Sequence, residues 1–345
     1  MSKYELNTKS PFIQNHEITK VDLSGISLVG KVIENCDLSS SSLRGADLER
    51  VIFKNCILQG VDFSLSNLQN VIFEECQMQS ALFRHMEVPS ALFKKNDMTN
   101  CDMRESQFKN CLFELCILNK TDWSGKALYA TIISGCELDN VIFKNADLEG
   151  MLLTEGNVGS VIFECCKLNK CVLDKQDLRH VSFIQCELFA TQLNNSNLRN
   201  KDFSRTSMKH CYFIGSDLTQ SNFSFSSLNH SVFQNSVLHA TCFEQSSMQG
   251  CNFEGASLTA ADFTKADLEK SIFTLTSGAG SVFKKAKMDY CDFSYANLTL
   301  ADFRKARLSF AKFHRAELSD ADWSGANKKG STGTDKELLE AETWS

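Results

Sequence analysis

The residues with the most chemical potential in this 345-residue chain are its 15 cysteines, its acids and its seven histidines. Zinc sites and disulfide frameworks use short, paired cysteine spacings. Here thirteen of the 15 cysteines occupy one fixed place in a five-residue period. They are Cys36, Cys56, Cys76, Cys101, Cys111, Cys116, Cys136, Cys166, Cys171, Cys186, Cys211, Cys251 and Cys291; only Cys165 and Cys242 leave that register. Such spacing suits burial, because a free cysteine packs as a small hydrophobe. So many free thiols imply a reducing compartment during folding. His210 and His230 fall at the same outward corner of the repeat. Stacked imidazoles could hold a metal, but no third ligand accompanies them. No Ser-His-Asp order, glycine-rich phosphate loop or His-x-x-x-His motif stands out, so neither an enzyme nor a bound cofactor or metal is expected.

The element that positions these residues is the five-residue period itself. Repeats take precedence over other patterns. Positions whose numbers end in 3 or 8 are apolar from Leu23 to Trp323, 61 in all, and only Gly278 fails. The residue two places earlier is Ala, Cys, Ser, Thr, Val or Gly at 53 of them. A period of five fits neither a helix at 3.6 nor a strand at 2. It fits a chain that turns a corner every five residues and points one small and one large residue inward. Phe fills 21 of the 31 centres ending in 3, but among the 30 ending in 8 only Phe108 is Phe. Large and medium sides therefore alternate. Just before the centre stand Val32, Ile52, Ile72, Leu92, Leu112, Ile132, Leu152 and Val172, all apolar and 20 residues apart. The same register offset by ten residues is mostly polar. Four sides per turn follow.

These residues resemble the pentapeptide-repeat family, whose A(D/N)Lxx motif stands here as Ala46-Asp47-Leu48, Ala146-Asp147-Leu148, Ala261-Asp262-Phe263, Ala266-Asp267-Leu268 and Ala301-Asp302-Phe303. The resemblance spans residues 21–325, nearly 90% of the chain. It implies an all-β, right-handed quadrilateral β-helix of about 15 coils, roughly 70 Å long at ~4.8 Å per coil. Short caps are expected at both ends. Residues 1–20 would supply one through Tyr4, Leu6, Phe12, Ile13 and Ile18. Trp323 would plug the other. Residues 326–345 read as a tail, with a linker over 327–333 and a capping box at Thr334-Asp335-Lys336-Glu337. A short helix would then carry Leu338, Ala341 and Trp344 on one face, ready for recognition.

On the surface, the ladder from Val32 to Val172 lies next to the inward centres and so points outward over eight coils. Apolar stripes of this length mark contacts, although β-propensity alone also favours branched residues there. A neighbouring acidic line runs through Asp22, Asp62, Asp102, Asp122, Asp202, Asp262, Asp302 and Asp322. Asp in this place braces the turn; its functional alternative is imitation of DNA phosphates. Lys265, Lys285 and Lys305 stack near the end with Lys284, Lys287, Arg304, Arg307, Lys312 and Arg315, which reads as a solvated charged face.

The net charge of −6 excludes a basic nucleic-acid binder. No apolar run approaches the ~20 residues of a membrane span, and no signal peptide is visible. The reading is a non-catalytic interaction scaffold in a bacterial cytoplasm, or one exported without a cleavable signal. Its contacts would be the ladder, Leu338 and Trp344, made to a protein partner or a second copy. The resemblance allows a secretion-associated adaptor or effector. Its alternative is a DNA mimic acting on gyrase, as the quinolone-resistance pentapeptide proteins do. This chain is longer than those, keeps an unbroken phase and ends in basic coils.

Overall fold

The computed structural model describes residues 10–126 and 128–342. The chain adopts a parallel β-solenoid in which paired residues lie 20 positions apart, from Phe12↔Val32 to Lys312↔Thr332. Four sides per turn are thus built as the sequence predicts. The strands, in order, are β1 Phe12–Gln14, β2 Val32–Glu34, β3 Ile52–Lys54, β4 Ile72–Glu74, β5 Glu87–Pro89, β6 Leu92–Lys94, β7 Gln107–Lys109, β8 Leu112–Glu114, β9 Leu128–Tyr129, β10 Ile132–Ser134, β11 Ile142–Lys144, β12 Leu152–Thr154, β13 Ile162–Glu164 and β14 Ser182–Ile184. One helix follows, α1 Lys336–Glu342.

The chain forms two compact units. The first runs to Val172 and includes His180–Cys186; the second comprises Leu173–Arg179 and the residues from Glu187. All fourteen strands lie in the first. There they form an eight-stranded sheet in the order β1-β2-β3-β4-β6-β8-β10-β12, with three-stranded sheets β11-β13-β14 and β5-β7-β9 on other sides. Regular strands therefore account for about nine turns, not the 15 coils expected. In the second unit the same 20-residue pairing continues through isolated bridges. Where Asp or Asn precedes the centre, its side chain accepts the N–H two residues on, as Asp262 Oδ1 does from Thr264 at 2.8 Å, and braces the turn. Tyr212, Val232 and Ile272 carry no such acceptor and form the same bridged corners.

Backbone groups are satisfied by a repeating scheme. The N–H of Leu23 reaches Ser42 O in the next layer at 2.8 Å, Gly25 reaches Arg44 O at 2.9 Å, and Val32 reaches back to Pro11 O at 3.0 Å. Ile26 closes the corner on Leu23 O at 3.2 Å. The fifth position, numbers ending in 4 or 9, accepts through its carbonyl but its N–H donates to no backbone group in this ladder, which is why Pro89 fits in β5 and still accepts from Asn70 N–H at 3.2 Å. Corners take a left-handed residue: every non-glycine with positive φ has a number ending in 0 or 5.

Inside, the Phe centres of one side stack 20 residues apart and meet those of the opposite side edge to face. In the second unit Phe253 lies 5.0 Å from Phe233 and 4.7 Å from Phe273, nearly parallel, and 5.7 Å from Phe263 at 87°. At Gly278 the missing side chain is covered by Leu298, whose Cδ2 lies 3.0 Å from where a Cβ would sit.

Two end features differ from expectation. Ile13 and Ile18 are buried, but Phe12 is 55% exposed because β1 is already a layer of the sheet and Phe12 faces outward. Tyr4 and Leu6 lie outside the described residues. At the other end, residues 327–333 are not a free linker: Asn327 and Thr332 bridge to Arg307 and Lys312. Trp323 is half-buried, stacked 4.3 Å from Phe303.

Candidate protein-binding face

The ladder residues occupy the first position of their strands, with the buried centre next to them and a second outward residue after that. Val32, Ile52, Ile72, Leu92, Leu112, Ile132 and Leu152 pair directly in register across β2, β3, β4, β6, β8, β10 and β12. Val172 joins Leu152 by a bridge. Phe12 extends the line by one layer, a member missed in the sequence because it precedes the regular repeat. Stacking leaves most of these side chains half-buried; Ile132 is 38% exposed. The face is thus an aliphatic ridge whose outer edges meet solvent.

Beside it runs the second outward column: Glu34, Lys54, Glu74, Lys94 and Glu114, alternating in sign. Lys94 Nζ lies 3.5 Å from Glu114. In the sequence each of these charges alone looks like ordinary surface, and only the register stacks them into a column.

The acidic line is committed to turns. Each of its eight aspartates accepts a backbone N–H two residues on, from 2.8 Å at Asp62 to 3.1 Å at Asp102. At Asp102 burial pushes the carboxyl up, but hydrogen bonds from Arg104 and Arg84 outweigh it and hold it at about 2. The basic cluster is threaded with acids: Arg304 pairs with Asp302, Arg307 with Asp289, and Lys287 with Asp267.

His210 and His230 stack at 5.1 Å. Among the described residues no cluster of three or more His, Cys, Asp or Glu is arranged to hold a metal. The thirteen register cysteines are buried, Cys165 is exposed and Cys242 half-buried. Their thiols donate to backbone carbonyls, as Cys251 does to Leu228 O at 3.0 Å. Burial pushes Cys251 up to about 12 and Cys111 to about 11, so these two hold little thiolate at neutral pH. Hydrogen bonds from Cys76, Cys116 and Cys186 pull Cys56, Cys136 and Cys166 down, but burial keeps those three from reagent. A thiol reagent on the native protein should therefore modify Cys165 quickly and Cys242 slowly, and the other thirteen only after denaturation. Rapid labelling of more than two thiols would show that the core opens to solvent.

In the second unit, α1 is capped by Asp335, whose Oδ1 accepts from Glu337 at 3.0 Å and Leu338 at 3.2 Å. The cap is one residue later than the motif suggests. The helix is tethered through Glu342, which contacts Tyr295, Arg315 and His314. The Tyr295 hydroxyl, then Arg315, hold its carboxyl below the ordinary range. Leu338 lines a groove of about 700 Å³ with His314 and Lys312, and is 46% exposed. Trp344 lies outside the described residues. Bulky corner residues, including Leu275, Leu300, Tyr290 and Phe310, are also exposed. No helix of the described residues is long and apolar enough to cross a membrane.

Two family models match the sequence. One, described as a pentapeptide repeat region, covers residues 33–103 and 206–283. The other, pentapeptide repeats in eight copies, covers 186–224 and 279–304. Together they span just over half of the chain. No curated protein matches. Among solved structures the chain is similar to QnrB1, a plasmid-mediated fluoroquinolone resistance protein, at 18% identity over 58% of this chain and 90% of that one, with a TM-score of 0.37. It is also similar to HetL, a pentapeptide repeat protein involved in heterocyst differentiation regulation from the cyanobacterium Nostoc sp. strain PCC 7120. That match has 16% identity over 86% of this chain and 90% of that one, with a TM-score of 0.19.

Proposed function

The chain belongs to the pentapeptide-repeat family, and from that premise we propose that it is a non-catalytic scaffold that binds protein through the outer face of its eight-stranded sheet. One observation carries this reading. The apolar ladder coincides with the longest run of regular strand, so nine successive layers from Phe12 to Val172 present an unbroken ridge. Interfaces gain most from such contiguous apolar surface held rigid beforehand. The narrower version makes the scaffold a secretion-associated adaptor or effector. The DNA-mimic reading, with gyrase as target, has less support, because a phosphate mimic needs carboxylates free to face outward and those of the acidic line are engaged in turns.

The test is affinity capture from the native lysate with wild type and the Ile72→Asp/Leu112→Asp variant. Bound proteins should be lost from the variant, and their identity would separate secretion components from gyrase. Capture of the same proteins at the same yield by both would sink the ridge as the binding face.

A further inference from the structure

The charged column beside the ridge carries information about the partner. Read along the sheet, the second outward positions are Gln14, Glu34, Lys54, Glu74, Lys94, Glu114, Ser134 and Thr154. Resting on the proposal that this face binds protein, we infer that its partner is a second copy of this chain, laid antiparallel with the two-fold axis between β4 and β6.

A two-fold interface brings the same patch together from both copies. If the axis ran along the solenoid, each aliphatic column would face the other copy's charged column, and charges would be buried against apolar groups. If it runs along the strand direction, ridge meets ridge and charge column meets charge column. Register then decides. An axis through one strand layer would set like charges opposite each other, for example Glu74 against Glu74 and Lys54 against Lys94. An axis between layers sets opposite charges together. The axis between β4 and β6 places Glu74 against Lys94 and Lys54 against Glu114, each twice, and keeps all eight strands overlapped. The axis between β3 and β4 also matches signs but overlaps only six. Ile72 then lies over Leu92 of the second copy, and Ile52 over Leu112.

Eight layers at ~4.8 Å with two columns ~7 Å apart make a narrow patch. Such an area falls at or below the ~1,200 Å² of standard interfaces, so the dimer is weak and concentration-dependent.

Sedimentation velocity on the full chain over a concentration series tests this. Wild type should shift from monomer to dimer. Lys54→Glu should weaken the dimer by ~tenfold or more, since it creates two like-charge contacts, and Glu114→Lys should do the same. The double swap should restore wild-type association. Lys54 and Glu114 are three layers apart within one chain, and the swap leaves runs of like charge inside each copy. Restoration therefore has no intrachain explanation. All these charges are on the surface, and unchanged thermal melting would confirm folding. A wild type that is monomeric throughout, a dimer indifferent to Lys54→Glu, or a double swap no better than the singles would each overturn the inference. A monomeric wild type that still loses captured proteins in the Ile72→Asp/Leu112→Asp variant would remove the second copy and leave the scaffold reading standing.

Discussion

Phe253→Ala should destabilise the second unit by about 3–5 kcal/mol, the usual cost of emptying a fully buried aromatic site. Phe253 has no exposed surface. It stacks on Phe233 and Phe273 and meets Phe243 and Phe263 edge to face. Each aromatic pair adds about 0.5–1.5 kcal/mol beyond buried area, so removal strikes four contacts at once. Neighbouring layers cannot collapse into the gap, because their spacing is fixed by backbone hydrogen bonds above and below. In a solenoid each layer is stabilised by its neighbours, so the loss reaches the whole unit. At ~2–4 °C per kcal/mol for a unit of this size, the melting temperature should fall by about 6–20 °C. Tyr290→Ala is the control: Tyr290 also stacks, on Phe310 at 5.2 Å, but is 54% exposed and should cost less than about 1 kcal/mol. Calorimetry on both variants checks the pair. A Phe253→Ala loss no larger than that of Tyr290→Ala would mean the core is loosely packed.

That core was legible in the sequence because burial repeats every five residues without a phase shift. Each Phe centre from Phe203 to Phe313 is buried where the period puts it, and so is each register cysteine. The Asp positions were legible for the same reason, since one side-chain acceptor at a fixed offset has one use. Other features were not. The extent of regular strand follows no single residue type: Ile72 lies in a strand while Ile272, on the same line, makes an isolated bridge, and the period alone does not reveal this. The alternating column from Glu34 to Glu114 became visible only when register placed the five charges one above another. Asp335 displaced Thr334 as helix cap because residues 327–333 are held on the last coil, and no local motif encodes that. The corners were least legible. Their residues include Lys, Asn, Gln, Tyr, Phe and Leu, with no common chemistry, because the constraint there falls on the backbone.

Gln245 shows how strong that hidden constraint is. Its side chain is exposed and its identity looks unconstrained, yet its φ is 56° and its N–H donates to Thr264 O at 2.9 Å. Gln245→Pro should be among the most damaging surface substitutions in the molecule. The proline ring fixes φ near −65° and removes the N–H, so the corner cannot turn left and an interlayer bond is lost. A cost of ~3 kcal/mol or more is expected from these two losses together. Gln245→Gly should stay within about 1 kcal/mol of wild type, because relief of left-handed strain offsets the added freedom of the unfolded chain. Proline's tolerance at Pro89 sharpens the comparison, since that position donates nothing to the interlayer ladder and its neighbour Ser90 turns the corner instead, with φ 58°. Denaturant unfolding of the two Gln245 variants distinguishes backbone from side-chain effects. If proline and glycine shifted stability equally, the left-handed corner would not be what fixes the coil. If only proline were destructive, the same rule would extend to every position numbered 0 or 5, whatever its side chain.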